Sequence, residues 1–252
     1  MISSVEKLIK ILDLFTNEEP SLGNKEIAEK LNMSPSSSHH LVKTMCKDGM
    51  LIQGKDRKYR LGWKLLEWSS RVMYQQDIHY EAGPIISNLV LQFRGNSHIG
   101  MFHEGEVRFV MKMSSPHAEH MTTYIGARKP AHCTSTGKVL LAFNPSFIQP
   151  TLAKGLLKDS TNTITCINQL NEELRDIRKQ GFAISDDEND FGLYGVAAPI
   201  KSYNGQVIAA LNLVGDRNYM IGKEKTRIIQ SVIRSAQMIS KQVGYMSLTL
   251  IF

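Results

Sequence analysis

The 252-residue sequence predicts an α+β chain of two domains. Three observations carry this. Residues 23–62, GNKEIAEKLNMSPSSSHHLVKTMCKDGMLIQGKDRKYRLG, suit two short helices joined by a tight turn, then a two-stranded ribbon rich in Lys and Arg. From residue 98 onward, strand-like runs are flanked by helical patterns at both ends, which suggests an antiparallel sheet with helices packed on it. The length also exceeds what one small domain needs.

The first helix is expected over residues 4–16, where Val5, Leu8, Ile9, Leu12 and Phe15 recur at helical spacing. Pro20 marks a polar turn. Asn24 should cap a second helix with Ile27, Ala28 and Leu31 inside. Ser34-Pro35 is a strong helix start, because Ser accepts a backbone N–H and Pro at the first helical position loses nothing. The third helix should span 35–47, stop at Gly49 and bury Leu41, Val42 and Met45. That leaves Ser36, Ser37, Ser38, His39, His40 and Lys43 near its exposed N-terminal half. Short hydroxyls there can reach phosphates and base edges, as in a recognition helix in the major groove. A hairpin follows, with strands at 50–53 and 58–61, its tip at 54–57, and Tyr59 and Leu61 on the inner face. Lys55, Arg57, Lys58 and Arg60 make it a candidate DNA-gripping wing.

Charge placement agrees. The net charge is +6, and between residues 33 and 62 only Asp48 and Asp56 oppose Lys43, Lys47, Lys55, Arg57, Lys58 and Arg60. Double-stranded DNA is the expected partner. No apolar run approaches the roughly 18 residues of a membrane span. The N-terminal stretch is amphipathic and unlike a signal peptide, so no membrane partner is expected. Cys46, Cys133 and Cys166 form no CxxC pair, which suggests reduced thiols in the cytoplasm.

Past the ribbon, a helix is expected at 63–74 on Leu65, Leu66, Trp68 and Val72. Another is expected at 77–93, its start interrupted by Gly83-Pro84. Strands are expected at 98–103, 107–113, 121–125, 182–185, 196–201 and 207–214. Helices are expected at 135–143, 146–154, 169–180 and 222–244, the last burying Ile228, Ile229, Val232, Ile233 and Ala236.

Six pieces in series resemble the IclR family of bacterial transcription regulators: SVEKLIKILDLF, EIAEKLNMSPSSSHHLVKTMCKDGML, YRLGWKLLEW, GARKPAHCTSTGKVLLAF, GFAISDDENDFGLYGVAAPI and GQVIAALNLVG. The resemblance implies a winged helix-turn-helix at 1–62, a linker helix at 63–77 and a GAF-like effector-binding domain at 78–252. It also implies homodimers or homotetramers on palindromic operators. In the reading head the family often has Thr at Ser37 and Arg at His40; His40 lacks the permanent bidentate donor. Carried over position by position, the effector pocket should be lined by Met121, Ser135, Thr136, Ser185, Leu193, Gly195, Asn212 and Val214. Ser135-Thr136 replaces a Gly-Ala type pair, Ser185 an Asp, Gly195 a Cys, and Asn212 and Val214 two Ser. Losing an acid and gaining hydroxyl and amide groups suits a neutral or hydroxyl-rich ligand, such as a sugar-derived acid. The expected function is a ligand-responsive regulator of genes for catabolism of such an acid, with no catalytic residues, cofactor or metal.

Two other readings compete. His117-x-x-His120, with Cys133, would suit a metal or redox sensor. A metabolite-binding enzyme with an accessory winged helix is the other. Asp186-Asp187-Glu188 is the nearest thing to paired carboxylates, and it reads better as a solvated acidic loop.

Overall fold

The computed structural model describes residues 3–74, 78–121 and 123–244. The chain forms two compact units, residues 1–76 and 77–252. No described helix is long and apolar enough to cross a membrane.

In the first unit, α1 (Ser3–Asp13), α2 (Asn24–Lys30) and α3 (Pro35–Lys47) precede a hairpin of β1 (Leu51–Gln53) and β2 (Tyr59–Leu61), and α4 (Trp63–Tyr74) closes it. The linker helix was expected to reach residue 77; residues 75–77 lie outside the described ones. Ile11, Phe15, Leu22, Ile27, Val42, Met45, Leu51 and Tyr59 make one core. Fully burying a side chain of this kind contributes about 1.5–3 kcal/mol. Leu22 and Tyr59 exchange backbone hydrogen bonds of 3.0 and 2.8 Å, so the hairpin is tied to the segment before α2.

Three local expectations fail here. The cap of α2 is Gly23, whose N–H is held by Glu26 at 2.6 Å, while Asn24 lies inside the helix and donates to the Pro35 carbonyl. Leu61 is exposed, because Leu51 and Tyr59 already fill the inner face of the hairpin. Val5 and Ile9 are exposed too: α1 turns Ile11 inward, and Phe15 just beyond the helix is buried, leaving the other side of the apolar pattern uncovered within this chain.

The second unit is a six-stranded antiparallel sheet in the order β5-β4-β3-β8-β7-β6. The strands are β3 (Asn96–His103), β4 (Glu106–Ser114), β5 (Arg128–Pro130), β6 (Ala183–Asp186), β7 (Leu193–Lys201) and β8 (Val207–Asp216). Side chains alternate between two cores, as strand geometry requires. On one face, Ile99, Val196, Ala198, Leu211 and Leu213 pack against α5 (Ile78–Phe93) and α10 (Lys225–Gln242). On the other, Val107, Phe109, Ala197 and Ala210 meet α6 (Ser135–Phe143) and α8 (Ile167–Gln180). A 3-10 turn (Pro145–Phe147) and α7 (Ile148–Lys154) join those two helices, and the short α9 (Arg217–Met220) follows β8.

Here too the structure corrects the sequence. The helix expected from residue 77 is described from Ile78 and runs through Pro84 without a break, since Ala82, Ile85 and Ile86 are buried around it and outweigh the lost N–H. No strand forms over the described residues of 121–125. Lys112 Nζ donates to the Met121 carbonyl at 3.1 Å and also to that of Thr123, so a side chain satisfies acceptors that a ladder would have used. The edge strand beside β4 is β5, in a stretch between 125 and 135 where no strand was expected.

Candidate functional sites

The third helix is the candidate reading head. Ser34 caps it, its Oγ accepting the Ser37 N–H at 3.2 Å. Ser36, Ser37, His39, His40 and Lys43 are exposed. Ser38 is not: it shares a helix face with Val42 and Met45, is fully buried, and points its hydroxyl toward the Asn24 carbonyl at 3.5 Å. Its small size lets α2 and α3 approach, and it is removed from the contact surface.

The hairpin divides its four cations into two kinds. Lys58 Nζ lies 3.4 Å from Glu26, and Arg60 grips Asp56 at 2.6 Å. The Arg60 guanidinium holds the Asp56 carboxyl down at about 2, and the bond to the Gly23 N–H together with Lys58 lowers that of Glu26. Lys55 and Arg57, at the tip, are exposed and make no ion pair among the described residues. Arg57 takes a positive φ of 59°, which closes the tip.

The candidate effector site is a small cleft at the N-terminus of α6, partly open to solvent, with a cavity volume of about 40 Å³. Sheet register explains its floor. Ser185 pairs with Gly195 and Gly195 with Val214 in one row; Ala197 pairs with Asn212 and Asn212 with His98 in the next. All of these side chains face α6 because strand residues two apart share a face. Gly195 lets the helix start sit down on the sheet: a Cβ there would lie 3.0 Å from Ser135 Oγ. The first N–H groups of α6 have no intrahelical partner, which makes its start favourable for an anion.

Of the eight expected lining residues the cleft brings together seven: Met121, Ser135, Ser185, Leu193, Gly195, Asn212 and Val214. Thr136 is the exception. It is fully buried and packs over Gly100, where a Cβ would come within 2.6 Å of Thr136 Cγ2. The cleft also recruits His98, Phe109, Thr123, Lys129, Thr134, Asn189 and Asp190, which the sequence reading did not place there. For His98 a signal was present: once it is aligned opposite the strand of Asn212, parity alone puts it on the same face.

His98 organises the wall. Asn212 Oδ1 accepts the His98 backbone N–H at 2.8 Å and lies 3.1 Å from Nδ1. An amide oxygen only accepts, so Nδ1 carries the proton and Nε2 accepts the Thr123 hydroxyl at 2.9 Å. Burial pushes the imidazole down to about 4, so it is neutral near pH 7. With Oδ1 engaged, the Nδ2 donor of Asn212 is left for the cleft. Ser185 Oγ donates to the Cys133 carbonyl at 3.1 Å, joining β6 to the loop before α6. The formal charges on the lining belong to Lys129 and Asp190, paired at 3.1 Å.

The acidic run is not a solvated loop. Asp186 holds Arg217 at 2.5 Å, and Asp187 accepts the Gly192 N–H at 2.6 Å. Glu188 is buried against Lys138 at 2.6 Å, and Lys138, itself only 1% exposed, also reaches Glu173 at 3.0 Å. These carboxylates hold the sheet end and α6 together. His117 and His120 are exposed, and among the described residues no group of three or more His, Cys, Asp or Glu is placed to hold a metal ion. Cys133 is buried, and burial, with Asp159 and Glu188 nearby, pushes its thiol up to about 12, which keeps it protonated and unreactive.

Two family profiles match this chain: the IclR helix-turn-helix domain over residues 4–54 and the C-terminal domain of bacterial transcriptional regulators of the IclR type over residues 70–241. The HTH-type transcriptional regulator XynR of Escherichia coli K12 is 29% identical over 248 residues, covering 97% of this chain and 98% of that protein. The regulator KdgR of Dickeya chrysanthemi is 30% identical over 247 residues, covering 97% and 81%. Among solved structures, the Thermotoga maritima IclR superposes with a TM-score of 0.84 at 27% identity, covering 97% of this chain and 100% of that one. An IclR homolog from Microbacterium hydrocarbonoxydans, complexed with 4-hydroxybenzoate, gives 0.84 at 23% identity over 95% and 98%, a likeness of fold.

Proposed function

The chain belongs to the IclR family of bacterial transcriptional regulators, and from that premise we propose that it controls genes for catabolism of a small, hydroxyl-rich organic acid. It is a ligand-responsive DNA-binding regulator. Ser36, Ser37 and His39 read base edges, while His40, Lys43, Lys55 and Arg57 meet phosphates. The effector sits in the cleft, its carboxylate and hydroxyls held by the polar groups that line it, among them Asn212, Ser185 and Ser135. The chain works without catalysis, as a homodimer or homotetramer in the cytoplasm on a palindromic operator. The exposed Trp63, Leu66 and Val72 of α4, with Val5 and Ile9 of α1, supply apolar surface for pairing. Ligand changes operator affinity because it binds one arrangement of the assembled domains better than another.

The observation that carries this reading is the lining of the cleft: hydroxyl and amide groups around a helix N-terminus, over a neutral imidazole that fixes Asn212 as a donor. Selection of bound sequences from random duplexes, followed by titration of sugar acids against the selected operator, tests it. A palindromic consensus and an acid-dependent change in affinity are the expected results. Absence of any sequence preference refutes the operator assignment. Tight binding of a purely apolar ligand in the cleft refutes the effector class.

A further inference from the structure

Among the residues that line the cleft, Lys129 and Asp190 are the charged ones, because His98 is neutral near pH 7. Lys129 Nζ lies 3.1 and 3.4 Å from the two Asp190 oxygens, and both side chains are partly open to solvent. The two residues differ in their supports. Lys129 is on the edge strand β5, where it pairs with Val107 of β4. Asp190 is on the β6–β7 connection, between Asp187 and Gly192, whose φ values are 52° and 75°. The neighbouring Asn189 is tied to Asp159 at 2.7 Å, and the Asp190 carbonyl accepts the Leu193 N–H at 3.3 Å, so the connection is shaped by its own contacts whether or not the carboxylate stays on Lys129.

We propose that Lys129 is the group that selects anionic ligands and that Asp190 is a latch on it: an entering carboxylate replaces that of Asp190 on Lys129. The proposal rests on the effector reading above and adds the residues that set charge preference. The exchange conserves the ion pair, one carboxylate leaving as another arrives, so an acid gains a fixed cation that a neutral polyol cannot use. The released Asp190 turns to solvent, to which it is already partly open. Without the exchange, an acid would enter a lining of zero net charge and meet Asp190 as a like charge. The latch therefore lowers affinity for every acid slightly, and it keeps Lys129 neutralised when the cleft is empty.

The test compares acids with their neutral counterparts. Calorimetric titrations use gluconate against glucitol, and xylonate against xylitol, on the full chain and on Asp190→Asn and Lys129→Met variants. Asp190→Asn should tighten acid binding about two- to fivefold, the range for a part-exposed ion pair, and leave the polyols unchanged. Lys129→Met should weaken acid binding by about tenfold or more, the loss of a charge-assisted hydrogen bond, again sparing the polyols. Melting temperatures within a degree or so of the parent would exclude misfolding as the cause. Parallel changes for acids and polyols, no change, or weaker acid binding in Asp190→Asn overturn the latch while leaving the effector class standing. If neither acid binds the parent chain, the sugar-acid reading fails, and the latch falls with it.

Discussion

The two units carry their polar chemistry in opposite ways. The DNA-reading unit places Ser36, Ser37, His39, Lys55 and Arg57 in solvent within one continuous stretch of sequence. The effector unit buries His98, Ser135 and Asn212, and brings them together from β3, α6 and β8. The difference follows from the ligand. A polyanionic duplex is met at a surface, by charges whose counterions are released on contact. A small molecule is held by directed hydrogen bonds in a space from which water is largely excluded, and each donor must be held in place by another group. The first unit should therefore respond mainly to salt and the second mainly to packing and pH.

The largest effect expected lies under the effector cleft. Burial pushes the Glu188 carboxyl above its usual range even with Lys138 at 2.6 Å, so desolvation outweighs the pairing. Lys138→Met should cost the second unit about 3–5 kcal/mol at pH 7, because it strands a buried carboxylate. The loss should shrink at lower pH as Glu188, its carboxyl already raised by burial, takes up a proton. Adding Glu188→Leu should recover most of it. Chemical denaturation of the three proteins at pH 7 and at lower pH measures this. A loss below 1 kcal/mol would mean that the buried pair is not what distinguishes the two units.

A smaller effect separates the units by pH. The folded His98 titrates at about 4, below the ordinary 6.5, so only the unfolded chain is protonated in between. Stability from His98 is therefore complete above pH 6.5 and is lost as pH falls toward 4. Between pH 6.5 and 5, before most carboxylates titrate, the loss is on the order of 2 kcal/mol. In the first unit His39 and His40 are exposed. Amide exchange in β8 should accelerate over that range, while fluorescence of Trp63 and Trp68, the two tryptophans of the chain, stays constant. His98→Gln should flatten the response of β8. Equal pH dependence of both signals would remove the contrast.

The smallest and most local effect is within the hairpin. Lys55→Ala with Arg57→Ala should lower the slope of log affinity against log salt by roughly one per residue, for all DNA sequences alike. Lys58→Ala and Arg60→Ala should do less, since Glu26 and Asp56 already neutralise those cations. Glu26→Gln should correspondingly strengthen non-specific binding. Fluorescence anisotropy over a salt series decides it. Equal slopes for the two pairs of variants would show that DNA strips the ion pairs away.

Legibility in the sequence followed the range of the interactions. The capped third helix was readable because Ser34 acts on Ser37, three residues away. Most strands of the sheet were readable from apolar runs, and seven lining residues were reachable through family resemblance. Ser38 was misplaced because the Ser-rich run looks uniform, while helical phase sets one of its members beside Val42 and Met45. Strand 121–125 was misread because Lys112, nine residues before Met121, satisfies its carbonyl. The acidic run looked solvated because its partners, Arg217 and Lys138, are distant in sequence.

The sequence by itself determined the α+β architecture, the basic hairpin behind a capped helix, and membership in a family of regulators. These rest on periodicity, capping and charge, which act over a few residues, and on motifs preserved in order. Only the tertiary structure decided which cations of the hairpin stay unpaired, that His98 is neutral and makes Asn212 a donor, and that Lys129 meets Asp190 across the cleft. Those outcomes depend on sheet register and burial, which bring together residues as far apart as His98 and Asn212 and set the protonation state of each.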